Sequence, residues 1–342
     1  MICAIFSCST LDTYRSVPKI LPPAELETSS NWPSVRKDGC AVAVGNFDGV
    51  HIGHAAIIAQ LLKVSDALGL PSAAYTFDPH PSAIVRPNAS PPPLTTSARR
   101  AYLLRLLGVD AVLVQPTDQN LVSLEANTFF ENVLIGSVNA RALVEGRDFR
   151  FGRGRSGDVA LLGALCQRHG MSLEVIDPLL VDGQAVSSSR IRALVAAGNF
   201  VVANKLLTSP YRLTGHIVQG AQIGRTLGFP TANMKKVTTL IPAFGVYAAM
   251  ACTESGQWPA AVHIGPNVSF GQSDLSIEVH LIGFSGDLYG TILDVDFLEK
   301  LRETQKFSSP ALLSSQLSED VKAALHSVLS RKKQTPEANP FF

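Results

Sequence analysis

Two histidines three positions apart, His51 and His54, lie in the glycine-rich string GNFDGVHIGH over residues 45–54. In the first turn of a helix, both side chains would project toward one bound anion, which the helix N-terminus also attracts. Such a pair can donate hydrogen bonds to phosphate oxygens and stabilise charge that develops during phosphoryl-group transfer. An HxxH pair alone is more often two surface or core histidines, and a metal site would need a third ligand that is not obvious.

A second chemical pattern lies downstream, in GHIVQGAQIGRTLGFPTANM over residues 215–234. Its glycines provide the backbone freedom of a loop that approaches phosphates. Thr231 and Asn233 offer neutral oxygens, which are ligands of the kind that a hard cation such as Mg²⁺ takes. The glycine spacing alone is also typical of a β-turn. The longer string, which continues through Pro-Thr-Ala-Asn, is a much more specific pattern than the glycines by themselves.

The elements around the first string predict where the histidines lie. The apolar run CAVAVGNF (40–47) predicts a buried strand, and helical spacing of apolar residues then continues to Gly69. Strands and helices alternate as far as about residue 206, which predicts a doubly wound parallel sheet. In such a sheet ligands bind beyond the carboxyl ends of the strands, which is where the histidines are expected.

Two further features divide the chain. The proline-rich stretch 79–93 predicts an irregular loop over the site. After about residue 207, short alternating runs separated by turns predict an antiparallel β-barrel, followed by an amphipathic helix over 309–329. The expected organisation is a poorly ordered N-terminal extension (1–38), an α/β domain (39–206), a barrel domain with a C-terminal helix (207–330) and a tail (331–342).

Bulk composition sets outer bounds on function. The chain has 342 residues, of which 46% are apolar and 17% charged, and its net charge is +1. This near-neutral balance argues against a broad nucleic-acid or membrane surface. The five cysteines form no CxxC pair, which favours reduced thiols, and no secretory signal or bilayer-spanning run is found. We therefore expect a cytoplasmic protein that is a monomer or weak homo-oligomer and acts on small molecules.

The string at 45–54 resembles the adenylyltransferase half of the prokaryotic bifunctional riboflavin kinase/FAD synthetase family. Three more segments resemble motifs of that half in the same order: TFDPHP (76–81), EGRDFRFGRGRSGD (145–158) and VSSSRIR (186–192). The chain departs from the family's pattern at Glu145, where a small apolar residue is commoner, and at Ser189, which replaces a threonine and keeps the hydroxyl.

The barrel half resembles the riboflavin kinase part of the same family. Residues 215–234 keep the kinase signature except for Ile217 in place of a valine. SIEVHLIGFSGDLYG (276–290) resembles the strand that carries the family's catalytic base, which matches Glu278. Residues 301–321 resemble the family's closing pattern.

The resemblance implies a Rossmann-like nucleotidyltransferase domain and a riboflavin kinase barrel that together convert riboflavin to FMN and FMN to FAD, with ATP and Mg²⁺. By it, His51 and His54 contact the ATP α-phosphate region, and Glu278 takes the proton of the riboflavin 5′-hydroxyl. The implied ATP and phosphate ligands of the adenylyltransferase are Gly45, Phe47, Asp48, Gly49, Gly53, Asp148, Ser188, Ser189 and Arg192. The implied ATP and flavin ligands of the kinase are Gly220, Gly224, Arg225, Gly228, Phe229, Pro230 and Arg302, with Thr231 and Asn233 as metal ligands.

Several alternatives stay open from the sequence. Ser188 and Ser189 are also natural helix N-caps, Asp48 is also a turn residue, and Arg302 equally suits helix packing. In PNVSFG (266–271), Val268 and Ser269 replace the family's Pro-Thr, so the proline is lost while a hydroxyl and the following aromatic residue are kept. This departure leaves an adenylyltransferase with a non-catalytic flavin-binding barrel as a second hypothesis. A dinucleotide-binding Rossmann protein would need G-x-G-x-x-G after the first strand, and GNFDGV does not supply it.

Overall fold

The computed structural model describes residues 39–220, 223–266 and 274–334. Contacts divide these residues into two compact units, and the first contains residues up to Ser188 together with Leu206–Ser209. The second contains Ser189–Lys205 and the residues from Pro210 onward. The grouping thus assigns residues 189–205 to the barrel, whereas the sequence pattern places the boundary at 206, and the domain boundaries stay a prediction. The extension 1–38, the end of the tail from 335 and most of the PNVSFG segment lie outside the described residues.

The first unit contains a parallel five-stranded sheet, as predicted, in the order β3-β2-β1-β4-β5. Its strands are β1 (Cys40–Val44), β2 (Ser72–Asp78), β3 (Ala111–Pro116), β4 (Ala140–Gly146) and β5 (Ser172–Ile176). A small hairpin follows, formed by β6 (Leu180–Val181) and β7 (Gln184–Ala185). β1 is central, and alternate residues of this strand enter separate hydrophobic cores on the two faces of the sheet. This double burial explains why β1 is apolar at every position.

Helices cover both faces of the sheet. They are α1 (Ile52–Leu68), α2 (Pro81–Val85), α3 (Ser97–Leu106), α4 (Gln119–Ser123), α5 (Ala126–Phe129) and α6 (Val159–Arg168). α5 continues into a π-helical segment over Phe130–Ser137, and short 3₁₀ turns span Pro87–Ala89 and Arg153–Arg155.

The prediction that residues 79–93 form only an irregular loop is wrong. This stretch contains α2 and the 3₁₀ turn over Pro87–Ala89. Pro81 occupies the first turn of α2, where its missing N–H would have no partner in any case. The Nδ1 atom of His80 caps the helix by accepting a hydrogen bond from the Ser82 N–H at 3.0 Å. Proline therefore starts a helix here instead of preventing one.

The second unit is a closed antiparallel barrel, as predicted, with the strand order β10-β11-β12-β9-β8-β13. Its strands are β8 (Arg212–Val218), β9 (Ala232–Lys235), β10 (Gly245–Thr253), β11 (Gly256–Gly265), β12 (Ser276–Leu281) and β13 (Ile292–Arg302). The remaining helices are α7 (Ser188–Ala196), α8 (Phe200–Leu206), α9 (Ile223–Thr226) and α10 (Pro310–Gln334). Phe200 of α8 packs against Tyr211 and Phe297 of the barrel, and α10 buries Ala324 and Val328 against it.

In the part of the chain that the structure describes, none of the helices is both long enough and apolar enough to cross a bilayer.

Candidate functional site

The loop between β1 and α1 is conformationally strained. Phe47 and Val50 have positive φ angles of 46° and 38°, which are uncommon for residues with a side chain and costly for a β-branched one. Gly49 has a φ of 85°, and a Cβ atom there would also lie 2.9 Å from the Leu94 side chain. The strain is maintained because the surrounding contacts determine the loop's path at the carboxyl end of β1.

His51 and His54 form a reciprocal cap at the start of α1. The Nδ1 atom of His51 accepts a hydrogen bond from the His54 N–H, and Nδ1 of His54 accepts one from the His51 N–H, both at 3.2 Å. The rings stack with centroids 3.5 Å apart and planes inclined by 15°. Because Nδ1 accepts in both rings, the neutral forms carry their protons on Nε2. The cap thus leaves one Nε2–H donor on each ring.

Both imidazoles are held in the neutral form. Burial lowers the pKa of His51 to about 4, against which the Asp48 charge acts only partly. Burial lowers the pKa of His54 well below its usual value, and the charges of His51 and Arg100 add to the shift. At neutral pH the pair therefore donates hydrogen bonds as two uncharged rings.

Arg100 is a buried charge beside this pair that the sequence pattern did not single out. It is 3% exposed, and its Nη2 donates to the carbonyl oxygen of Phe77 at the end of β2, at 2.7 Å. Its buried Nε has no acceptor among the described residues. The only signal in the sequence is its place on the inner face of α3, four residues before the buried Leu104.

Asp48 holds the backbone of a neighbouring loop. Its carboxylate accepts hydrogen bonds from the N–H groups of Leu94, at 2.9 and 3.0 Å, and of Thr95, at 3.1 Å. The hydroxyl of Ser188 donates to the Asp48 carbonyl oxygen at 2.8 Å. Through these contacts the Asp48 side chain orders the backbone of residues 94 and 95. Ser188 thus ties the start of α7 to the strained loop.

The other residues predicted for this site have varied surroundings. A Cβ on Gly45 would lie 3.2 Å from the Phe47 ring, and one on Gly53 would lie 3.1 Å from Nδ1 of His51. These glycines therefore make room for neighbouring side chains of the same loop. Asp148 follows β4 and approaches Gly146, where a Cβ would lie 3.0 Å from its Oδ1 atom. Ser189 and Arg192 lie in α7 and group with the second unit.

In the second unit, the strand register brings Glu278 of β12 directly opposite Asn233 of β9. The Thr231 hydroxyl lies 3.4 Å from Oε2 of Glu278, and the Ser276 hydroxyl donates to Oε1 at 3.1 Å. A carboxylate and a hydroxyl thus lie close together, and Asn233 occupies the paired position on the neighbouring strand. These oxygen donors fit a Mg²⁺ ion that also takes phosphate and water ligands. Among the described residues, no cluster of three or more His, Cys, Asp or Glu suggests a different metal centre.

The glycine-rich segment packs tightly against this group. A Cβ on Gly220 would lie 2.2 Å from Nδ2 of Asn233, and one on Gly224 would lie 2.4 Å from the Phe229 carbonyl oxygen. Arg225 lies in the short helix α9, and Gly228 has a φ of 87°.

The side chain of His280 helps to anchor the residues that follow these glycines. A ring nitrogen of His280, Nδ1, lies 2.8 Å from the Pro230 carbonyl oxygen. The Phe229 ring meets His280 edge to face, with centroids 5.7 Å apart. His280 therefore helps to hold the segment that leads to Thr231.

Arg302 forms a bidentate ion pair with Asp320 of α10. The distances are 2.8 Å from Nε to Oδ1 and 2.6 Å from Nη2 to Oδ2, and Asp320 is 4% exposed. The contact joins the end of β13 to α10, which agrees with the helix-packing alternative for Arg302.

Comparisons with known proteins match both units. Residues 34–190 match the family model described as FAD synthetase, and residues 207–328 match the one described as riboflavin kinase. A bifunctional riboflavin kinase/FMN adenylyltransferase of Pseudomonas fluorescens is 38% identical over 84% of this chain and 92% of its own length. A protein of the same description from Escherichia coli strain K12 is 32% identical over 85% of this chain and 93% of its own length. The chain belongs to the bifunctional riboflavin kinase/FMN adenylyltransferase family.

A solved structure of similar fold, described as a macrolide-efflux protein from Streptococcus pneumoniae, is 29% identical with a TM-score of 0.76. The match covers 88% of this chain and 96% of the solved chain. The match of this bifunctional family along the chain confirms the resemblance inferred from the motifs. Both a FAD synthetase domain and a riboflavin kinase domain are present.

Within this bifunctional enzyme, sequence reasoning found the contiguous motifs and missed the long-range partners. Arg100 and Thr95 contact motif residues from other elements, and Glu145 was noted only as a departure from the family's pattern. Val268 and Ser269, the basis of the second hypothesis, lie outside the described residues and lend it no structural support.

Proposed function

We propose that the two sites catalyse successive transfers from ATP, with His51, His54, Glu278, Thr231 and Asn233 in the roles expected from the sequence. The barrel transfers the γ-phosphoryl group of ATP to the 5′-hydroxyl of riboflavin, which yields FMN and ADP. The sheet domain then joins the phosphate of FMN to the α-phosphorus of ATP, which yields FAD and pyrophosphate. We further propose that ATP and Mg²⁺ serve both steps.

The stacked histidines carry the proposal for adenylyl transfer. An FMN phosphate oxygen attacks the α-phosphorus while the bond to pyrophosphate breaks, so negative charge builds on the α-phosphate oxygens. The two Nε2–H groups of His51 and His54 can donate to those oxygens without protonation of either ring. Because the FMN phosphate is already ionised, no general base is needed, and Asp48 can serve wholly as a loop anchor. Removal of one such preorganised donor typically costs about 10²–10³-fold in rate.

The pairing of Glu278 with Thr231 and Asn233 supports the proposal for riboflavin phosphorylation. Glu278 accepts the proton of the 5′-hydroxyl as its oxygen attacks the γ-phosphorus and ADP leaves. Thr231 and Asn233 would hold Mg²⁺, which neutralises charge on the ATP phosphates. A positioned base of this kind is usually worth about 10²–10⁴-fold.

Two point variants test the assignment of one reaction to each domain. His54→Ala should abolish FAD formation while riboflavin is still converted to FMN, which accumulates. Glu278→Gln should stop FMN formation, yet supplied FMN should still become FAD. His169→Ala and Glu174→Gln are matched controls, since His169 is exposed after α6, where it contacts Glu131 and the Phe130 ring, and Glu174 is exposed on β5.

The readout is product formation from riboflavin, and separately from FMN, with ATP and Mg²⁺. Loss of both activities in either folded variant contradicts the division of sites. Absence of FMN formation by the unmodified protein would instead leave the adenylyltransferase as its one activity.

A further inference from the structure

The crevice between β1 and β4 lies where the sheet reverses its strand order. The chain leaves β1 toward β2 and β3 and returns to β4 on the other side of β1. Paired positions between β1 and β4 end at Val42 and Leu143, whereas the pairing of β1 with β2 continues to Val44. The two strands therefore separate at their carboxyl ends, and in open α/β sheets such a point is where ligands bind.

Glu145 closes the base of this crevice. Its Oε1 accepts a hydrogen bond from the Val44 N–H at 2.7 Å, beyond the last registered pair of the two strands. The residue is 2% exposed. On the other edge of β1, the next N–H, of Gly45, donates to the Tyr75 carbonyl oxygen at 3.0 Å. The end of β1 is thus held between a side-chain carboxyl and a main-chain carbonyl, immediately before the loop that carries the histidines.

The surroundings of Glu145 favour its neutral form. Burial raises its pKa well above the usual value; the bond from Val44 opposes the rise, and the Asp148 charge adds to it. Cys166 of α6 is also buried, and burial is the main cause that raises its pKa to about 11. β5 presents Val175 opposite Glu145, and α1 presents Ile57 beside Gly146. The carboxyl group thus lies among uncharged neighbours with Asp148 as the nearby anion.

We propose that Glu145 is a positioning residue for FMN adenylylation, which anchors the end of β1 and so places His51 and His54 against the nucleotide. The inference rests on the proposed function of the histidine pair. Without an acceptor at position 145, the buried Val44 N–H must find another partner, and the end of β1 must move toward it. Displacement of reacting groups by about 1 Å can cost about 10²-fold, so a small movement of β1 is enough to weaken the site.

The test compares Glu145→Gln, which keeps an oxygen acceptor, with Glu145→Leu, which removes it. Glu174→Leu is the matched control, because Glu174 is an exposed carboxylate on the neighbouring strand β5. Initial rates of FAD formation from FMN are measured over a range of ATP concentrations. We expect kcat for FAD formation to fall about 10²-fold and the KM for ATP to rise in the Leu variant, with both values staying within about twofold in the Gln variant and the control. Riboflavin phosphorylation should be unchanged in all three.

A role confined to folding predicts a different result, namely a lower Tm with kcat and the KM for ATP unchanged when the rates are referred to the folded fraction, and this result overturns the proposal. An unchanged KM with unchanged kcat overturns it as well. If Glu145→Leu fails to fold, Glu145→Met takes its place with the same criteria.

A substrate-free measurement separates this inference from the proposed function. If the unmodified protein makes no FAD, amide hydrogen exchange of residues 41–50 decides the role of Glu145. Faster exchange in the Leu variant than in the Gln variant and the control supports an anchoring role. Equal exchange in all of them overturns it.

Discussion

Replacing Gly220 by alanine tests the placement of the proposed metal ligand Asn233. The added Cβ would lie 2.2 Å from Nδ2, 2.5 Å from Cγ and 2.8 Å from Oδ1 of Asn233. Ordinary contacts of carbon with heavy atoms are about 3.5–4.0 Å, so the amide or the Gly220 backbone must move by about 1 Å or more. Asn233 and Glu278 occupy paired positions on neighbouring strands, so this movement separates two groups that must act together. A displacement of that size is expected to reduce kcat for riboflavin phosphorylation by about 10²-fold.

The assay measures FMN formation from riboflavin and, in the same preparation, FAD formation from supplied FMN. FAD formation should be unaffected, which shows that the protein is folded. Gly290→Ala is the matched control, since Gly290 has a φ of 76° and a Cβ added there would have no atom within 4 Å. It should lower stability by about 1–2 kcal/mol and leave both rates unchanged. Riboflavin phosphorylation within threefold of the unmodified rate in Gly220→Ala would refute the reasoning.

Three further predictions concern charge. The fold should lose stability as pH falls from about 6.5 toward 4, because the unfolded chain then binds protons that buried His51 and His54 do not. His51 alone accounts for a loss of about 3 kcal/mol in the free energy of unfolding, which urea unfolding can measure. An unchanged midpoint urea concentration over this pH range contradicts the low pKa values. Arg100→Met should reduce FAD formation about tenfold and spare riboflavin phosphorylation, since a positive charge beside the anionic substrates is lost; equal rates would show that Arg100 serves packing alone. Arg302→Ala should lower the free energy of unfolding by about 2–4 kcal/mol, because buried Asp320 loses its partner. Chemical denaturation measures this change, and a decrease below about 1 kcal/mol would disprove the prediction.

Much of the fold follows from patterns within short segments. β1 is apolar at every position because both faces of the sheet are covered, and the alternating runs after residue 207 correspond to strands of one barrel. The proline-rich segment was mispredicted because a proline in the first turn of a helix costs little, so its presence does not exclude α2. The assignment of residues 189–205 by contact to the barrel has no counterpart in local sequence pattern.

By itself the sequence determined the features whose partners lie within a few residues. The placement of His51 and His54 at the start of α1 is one, because they lie three positions apart at a predicted junction of strand and helix. Only the tertiary structure decided that Glu278 faces Asn233 and that Glu145 supports Val44, since those neighbours are set by strand register and sheet order. The physical reason is that a contact between distant segments depends on how whole elements pack, which no single stretch of residues encodes.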